Sequence, residues 1–144
     1  MFSLDDAIAC LSLELGLPEL RLSPQTGDAA VRIGEVAVHL LGCPQPQGII
    51  LRACVKNIAA GDYAQAKERV LAGNLFADGA VSSVLYMDPS GDIYLAQHLP
   101  SQALGATVFL RTFQRFVARA ALWQRRLGEA AGTNAHALAC EVPA

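Results

Sequence analysis

The stretch that decides the fold is "AAVRIGEVAVHLLGCPQPQGIILRACV", Ala29 to Val55. It holds three apolar runs with a period of two. Val31 and Ile33 flank Arg32. Val36, Val38 and Leu40 fall on one face, with Ala37, His39 and Leu41 on the other. Ile49, Leu51, Ala53 and Val55 share a face of the third run. A period of two marks strands, because successive side chains leave a strand on opposite sides. Gly34-Glu35 suits a tight hairpin turn. "CPQPQG", Cys43 to Gly48, carries two prolines and a closing glycine and is expected as a loop. Three successive strands with short connections predict an antiparallel sheet.

Two more strands follow in "VSSVLYMDPSGDIYLAQHLP", Val81 to Pro100. Val81, Ser83, Leu85 and Met87 alternate with Ser82, Val84 and Tyr86. Ile93, Leu95 and Gln97 alternate with Tyr94, Ala96 and His98. Between these runs "DPSGD", Asp88 to Asp92, is a turn, with proline and glycine in sequence.

Helices surround the strands. At the start, Leu4, Ile8, Leu11 and Leu15 recur at helical spacing. Ser3 caps this helix, Asp5 and Asp6 favour the positive end of its dipole, and Gly16 and Pro18 end it. A second helix is expected over about 62–74, capped by Asp62, with Ile58 before the cap. The last helix is expected from Ser101, as cap, to Leu127. Its stripe is Phe109, Phe113, Phe116, Ala120, Trp123 and Leu127. The order α-β-β-β-α-β-β-α predicts one α+β domain, an antiparallel twisted sheet packed by helices, over residues 1–127. Residues 128–144 are small, polar and unpatterned, and are expected to form a flexible tail.

Composition narrows the function. A chain of 144 residues is long enough to bury a core without a disulfide or metal staple. Apolar residues make up 53% and charged residues 17%, so apolar side chains are in surplus. The net charge of −2 gives no drive toward nucleic acid or an anionic membrane. No run approaches the ~20 apolar residues that a bilayer crossing takes. The beginning carries Asp5 and Asp6 where a secretory leader carries positive charge, which predicts a cytosolic protein.

Reactive chemistry is sparse. Cys10, Cys43, Cys54 and Cys140 show no metal-ligand spacing and are expected as reduced, partly buried thiols. His39 and His98 lie within strands. No nucleophile–base pattern and no phosphate loop is present. Asp5 and Asp6 are explained by helix capping, Asp88 and Asp92 by the turn. No catalytic, cofactor or metal site is therefore assigned. Arg111, Arg115 and Arg119 step by four along the last helix, joined by Arg125 and Arg126. They form either a solvated face or a site for acidic residues of a partner. An apolar strip that includes Val31, Ile33, Val36, Val38, Ile49 and Leu51 would need a partner if the helices left it open.

Taken in order, five stretches resemble the class I type III secretion chaperones, the Tir-chaperone family of Gram-negative bacteria. They are the first helix running into "LGLPEL" (Leu15–Leu20), "VRIGEVAVHLLG", "VLAGNLFADG" (Val70–Gly79), "SSVLYMDPSGDIYLAQHLP", and "FLRTFQRFVARAALWQRRL" in the last helix. Members are commonly more acidic, so the basic last helix is a departure. The resemblance implies a homodimer with no enzymatic activity and no cofactor. Such a protein acts in the bacterial cytoplasm. It binds the N-terminal region of one or more secreted effectors, keeps that region extended and soluble, and hands it to the secretion apparatus, whose ATPase is a further implied partner. Carried over residue by residue, the dimer contact falls on Val70, Leu71, Leu75, Phe76, Val84 and Tyr86. The effector-binding surface falls on Leu4, Ile8, Leu11, Val31, Ile33, Val36 and Val38.

Two rival functions remain open from sequence. One is a regulatory dimer with the same fold and no effector client. The other is a small enzyme with a site assembled from distant residues such as His39, His98 and Cys54.

Overall fold

A computed structural model of the chain describes residues 2–17, 20, 23, 27–57, 64–65, 67–68, 70–71 and 83–131. Helix α1 is Leu4–Leu15. Strands β1 (Ala29–Ile33), β2 (Val36–Pro44) and β3 (Gln47–Lys56) follow. The described residues of the expected second helix, 64–65, 67–68 and 70–71, are helical and are called α2. Strands β4 (Ser83–Met87) and β5 (Ile93–Pro100) lead through one 3₁₀ turn to α3, Ala106–Ala131.

The five strands form one antiparallel sheet in the order β1-β2-β3-β5-β4. The expected α+β architecture is therefore observed. Its register follows the alternation in the sequence. Val31 faces Val38, Leu40 faces Leu51, and Ala53 faces Leu95, all on the face beneath the helices. Val38, Leu40, Leu51 and Ala53 are fully buried there. From α3, Phe109, Phe113, Phe116, Ala120 and Leu127 pack into the same core, with Trp123 half-buried at its margin. Each fully buried phenylalanine contributes about 1.5–3 kcal/mol from the area it removes from water. Helix α1 adds Ala7, Ile8 and Leu11, and the Phe2 ring lies 5.5 Å from that of Phe109.

Local chemistry sets the ends of the elements. The Ser3 hydroxyl accepts from the Asp6 backbone N–H, and the Asp6 carboxylate accepts from the Ser3 N–H, a reciprocal cap on α1. Gly16 ends α1 in the left-handed conformation. Gly34 takes a positive φ of 63° at the β1–β2 hairpin, which a side chain would resist. In the β4–β5 turn, Asp88 Oδ1 accepts from the Ser90 N–H, the Ser90 hydroxyl and the Asp92 N–H.

Three boundaries differ from expectation. The Cys43–Gly48 loop shrinks to the two residues Gln45 and Pro46. With so short a reversal, Cys43 pairs with Gly48 and Pro44 with Gln47, and the ladder extends to the turn. The last helix starts at Ala106, not Ser101. Ser101–Ala103 makes a single 3₁₀ turn, Leu104 is extended, and the Phe109 N–H then donates to the Gly105 carbonyl at 2.8 Å. At its other end α3 continues past Leu127 to Ala131.

Candidate functional site: apolar surfaces of the chain

The residues expected to contact partners fall into three groups. Val84 on edge strand β4 is 51% exposed and Leu71 on α2 is 63% exposed, so both present apolar side chains to water. Tyr86 is half-buried on the outer face of the sheet, stacked on Tyr94 at 5.4 Å. Val70, by contrast, is buried in the core. Leu75 and Phe76 lie outside the described residues.

The residues carried over as an effector surface sit deeper. Ile8 and Leu11 of α1 and Val31, Val36 and Val38 of the sheet are buried in the core. Leu4 and Ile33 are half-buried and pack against that core. The exposed apolar side chains of this region are others: Leu13 is 85% exposed, and Leu15 and Leu17 are also open. Leu13 lies off the stripe formed by Leu4, Ile8 and Leu11. That offset was the available signal, since a leucine off the buried stripe of a short helix faces water.

The arginine face of α3 divides. Arg111 and Arg115 are exposed. Arg119 is half-buried and donates to the Ser83 hydroxyl at 2.8 Å, so it is a tie between α3 and β4. Arg126 lies over the Trp123 ring, 5.6 Å from its centroid.

The three residues of the enzymatic rival do not converge. His39 pairs across strands with Arg52, His98 with Ile50, and Cys54 with Tyr94. The rows marked by Ile50 and Cys54 are four residues apart on β3, roughly 13 Å. The His98 imidazole is 3.0 Å from the Pro46 carbonyl oxygen and fastens the β2–β3 turn. Half-burial, and then the charge of Arg52, lower the His39 pKa and favour its neutral form, with Asp28 pulling the other way. Cys10 and Cys43 are free thiols as expected, whereas Cys54 presents none. Burial and the carboxylates of Asp6 and Glu14 push the Cys10 thiol up, away from the reactive thiolate. Among the described residues no cluster of His, Cys, Asp or Glu is arranged to hold a metal, and no helix is long and apolar enough to cross a membrane.

With the fold and these surfaces defined, comparison with known proteins is decisive. The model of the Tir chaperone protein (CesT) family matches residues 6–124. The chain belongs to this family. The whole strand ladder lies within the matched region, together with α1 from Asp6 onward and α3 as far as Gln124. This family of chaperones is not one of enzymes, and on that ground the enzymatic rival is set aside. No curated protein sequence matches the chain.

Solved structures agree in fold. The chaperone–effector complex of HopA1 and SchA contains a chain with TM-score 0.67 at 18% identity, covering 84% of this chain and 92% of that one. The ExsC–ExsE complex gives 0.63 at 22% identity, covering 83% and 89%. The Yersinia pestis type III secretion chaperone SycH, in complex with a fragment of YscM2, gives 0.61 at 21% identity, covering 85% and 99%. The Tir-chaperone chain described here thus shares its architecture with chains that were each solved together with another protein.

Proposed function

We propose that this Tir-chaperone family member is a cytoplasmic type III secretion chaperone that binds the N-terminal region of one or more effectors. It holds that region extended, soluble and ready for export. The observation that carries the reading is the family match over residues 6–124, on a chain with large apolar side chains left in water. An extended segment can lay side chains against such residues and pair its backbone with a sheet edge. Among the described residues, no strand lies beside the outer edges of β1 and β4.

Within this reading the chaperone is a homodimer. Leu71, Val84 and Tyr86 are its exposed or half-exposed contacts, and Val70, Leu75 and Phe76 belong to the same set. The client surface runs along α1 and the first strands. Leu4 and Ile33 reach it, Leu13, Leu15 and Leu17 extend it, and Ile8, Leu11, Val31, Val36 and Val38 form the packed layer beneath. The ATPase of the secretion apparatus is the receptor to which the loaded chaperone delivers.

The test is purification of the full chain from the bacterium that encodes it. A type III-secreted protein should come with it, and light scattering should give the mass of two chaperone chains with their client. A monomer that carries no secreted protein would overturn the reading.

A further inference from the structure

The four cysteines of the chain are Cys10, Cys43, Cys54 and Cys140. Cys10 and Cys43 are free thiols, and Cys54 is disulfide-bonded. By elimination the partner of Cys54 is Cys140, which lies outside the described residues. The expectation of reduced thiols thus holds for Cys10 and Cys43 and fails at Cys54.

Cys54 belongs to the outer face of the sheet, opposite the helices. Its partner in register is Tyr94, while Ala53 before it faces the core. Cys54 is buried, and so is Ala37 on the same face of β2. The last helix passes close to this end of the sheet. The Gln124 side-chain amide donates to the carbonyl oxygens of Glu35, at 3.2 Å, and of Cys54, at 3.4 Å. From Gln124 the helix runs about 10 Å further, to Ala131. The nine residues from there to Cys140 span up to about 30 Å when extended. That covers the return along the helix and leaves about 20 Å to round the end of the sheet. Beside Cys140, the residues Leu138, Ala139 and Val142 are apolar, which suits them to cover an apolar surface.

We propose that Cys54 and Cys140 form a redox-responsive latch that fastens residues 132–144 against the outer face of the sheet, over Ala37 and Cys54. Cytoplasmic thiols are kept reduced, and a disulfide there is usually transient or redox-sensing. The switch character of the bond rests on the cytoplasmic reading above; the bond itself does not. The oxidant is a low-molecular-weight disulfide such as oxidised glutathione. Its S–S bond breaks and the Cys54–Cys140 bond forms. The two protein thiols give up two electrons and two protons, and the oxidant leaves as two thiols. Excess reduced glutathione runs the exchange backwards. Closed, the latch holds the C-terminal segment on the sheet. Open, it releases that segment and uncovers the end of the outer face.

The experiment uses the full chain, equilibrated with oxidised or with excess reduced glutathione and then alkylated after an acid quench. Digestion of the oxidised chain without reduction should release two peptides joined through Cys54 and Cys140. The same digest from excess reduced glutathione should give both cysteines alkylated. Closing so long a loop removes entropy from the unfolded chain, so the oxidised form should melt above the reduced one. Hydrogen exchange read by mass spectrometry should slow on the order of tenfold in residues 132–144 on oxidation. Cys140→Ser should abolish both differences, and it leaves every sheet residue unchanged if Cys54→Ser folds poorly. Alkylation of both cysteines in the oxidised chain, or a joined pair other than Cys54–Cys140, would overturn the bond. A bond that persists in excess reduced glutathione, or exchange that oxidation leaves unchanged, would overturn the latch. The chaperone reading is judged separately, by co-purification.

Discussion

Arg119 of α3 donates a hydrogen bond to the hydroxyl of Ser83 on β4, 2.8 Å away, and so ties the long helix to an edge of the sheet. Ser83 is only 6% exposed, so the bond lies near the core margin. Hydrogen bonds to charged groups contribute about 1.5–3 kcal/mol, and the partial exposure of Arg119 places it at the lower end. Arg119→Ala should lower the unfolding free energy by about 1.5 kcal/mol. Ser83→Ala in the Arg119→Ala background should then add little. Urea denaturation of the four chains of this cycle checks the coupling, and full additivity would mean that the bond contributes nothing.

Gly48 and Gly42 should respond oppositely to alanine. A Cβ on Gly48 would collide with the Leu99 carbonyl oxygen and crowd the His98 ring. At Gly42 the nearest atom is Leu4 Cδ2 at 3.8 Å, an ordinary contact. Gly48→Ala should destabilise by about 1–3 kcal/mol, the range of an overpacked site. Gly42→Ala should be close to neutral. Thermal melts of the two variants test this, and equal midpoints would contradict the close approach of β3 and β5.

The cap of α1 predicts a pH dependence. The backbone hydrogen bond from Ser3, and then the one with its side chain, hold the Asp6 carboxyl below the usual carboxylate range. A group with a lowered folded pKa stabilises above its unfolded value, near ~3.9. That contribution disappears as pH falls through the lower, folded value. Asp6→Asn should therefore melt earlier than the unmodified chain at neutral pH, and the gap should close under acid. A gap constant from neutral pH to below the carboxylate range would contradict the cap.

The exposed apolar side chains of β4 and α2 predict the oligomer. Val84→Asp places a charge where the single chain already meets water, so folding should survive while dimerisation weakens. Leu71→Asp should act in the same direction. Light scattering at micromolar concentration, with circular dichroism as the folding control, reads both. An unchanged dimer in both variants would place the interface elsewhere.

The strands were legible because alternation in Ala29–Val55 and the turn residues of Asp88–Asp92 mark two sets of hairpins, although neither signal says that β5 rather than β4 lies beside β3. The α3 stripe from Phe109 to Leu127 was legible for the same reason, since its spacing matches a helix with one buried side. Two of the boundary differences came from short-range backbone geometry. Gln45 and Pro46 reverse the chain alone, and Gly105 rather than Ser101 stands at the cap before the helix. The partner surfaces were less legible. An apolar residue in a strand is equally consistent with core and contact, and only the packing of α1 and α3 distinguishes Val38, fully buried, from Val84, half in water.

The central claim is that this Tir-chaperone family member holds an effector by its N-terminal region. The most direct measurement is capture of the co-purifying secreted protein by the full chaperone chain, repeated after that protein's N-terminal region is deleted and with that region alone. The account predicts that the isolated region is retained, protease-sensitive when free and protected when bound, and that the deleted protein is lost. Retention of the deleted protein, with no binding of the isolated N-terminal region, would contradict it.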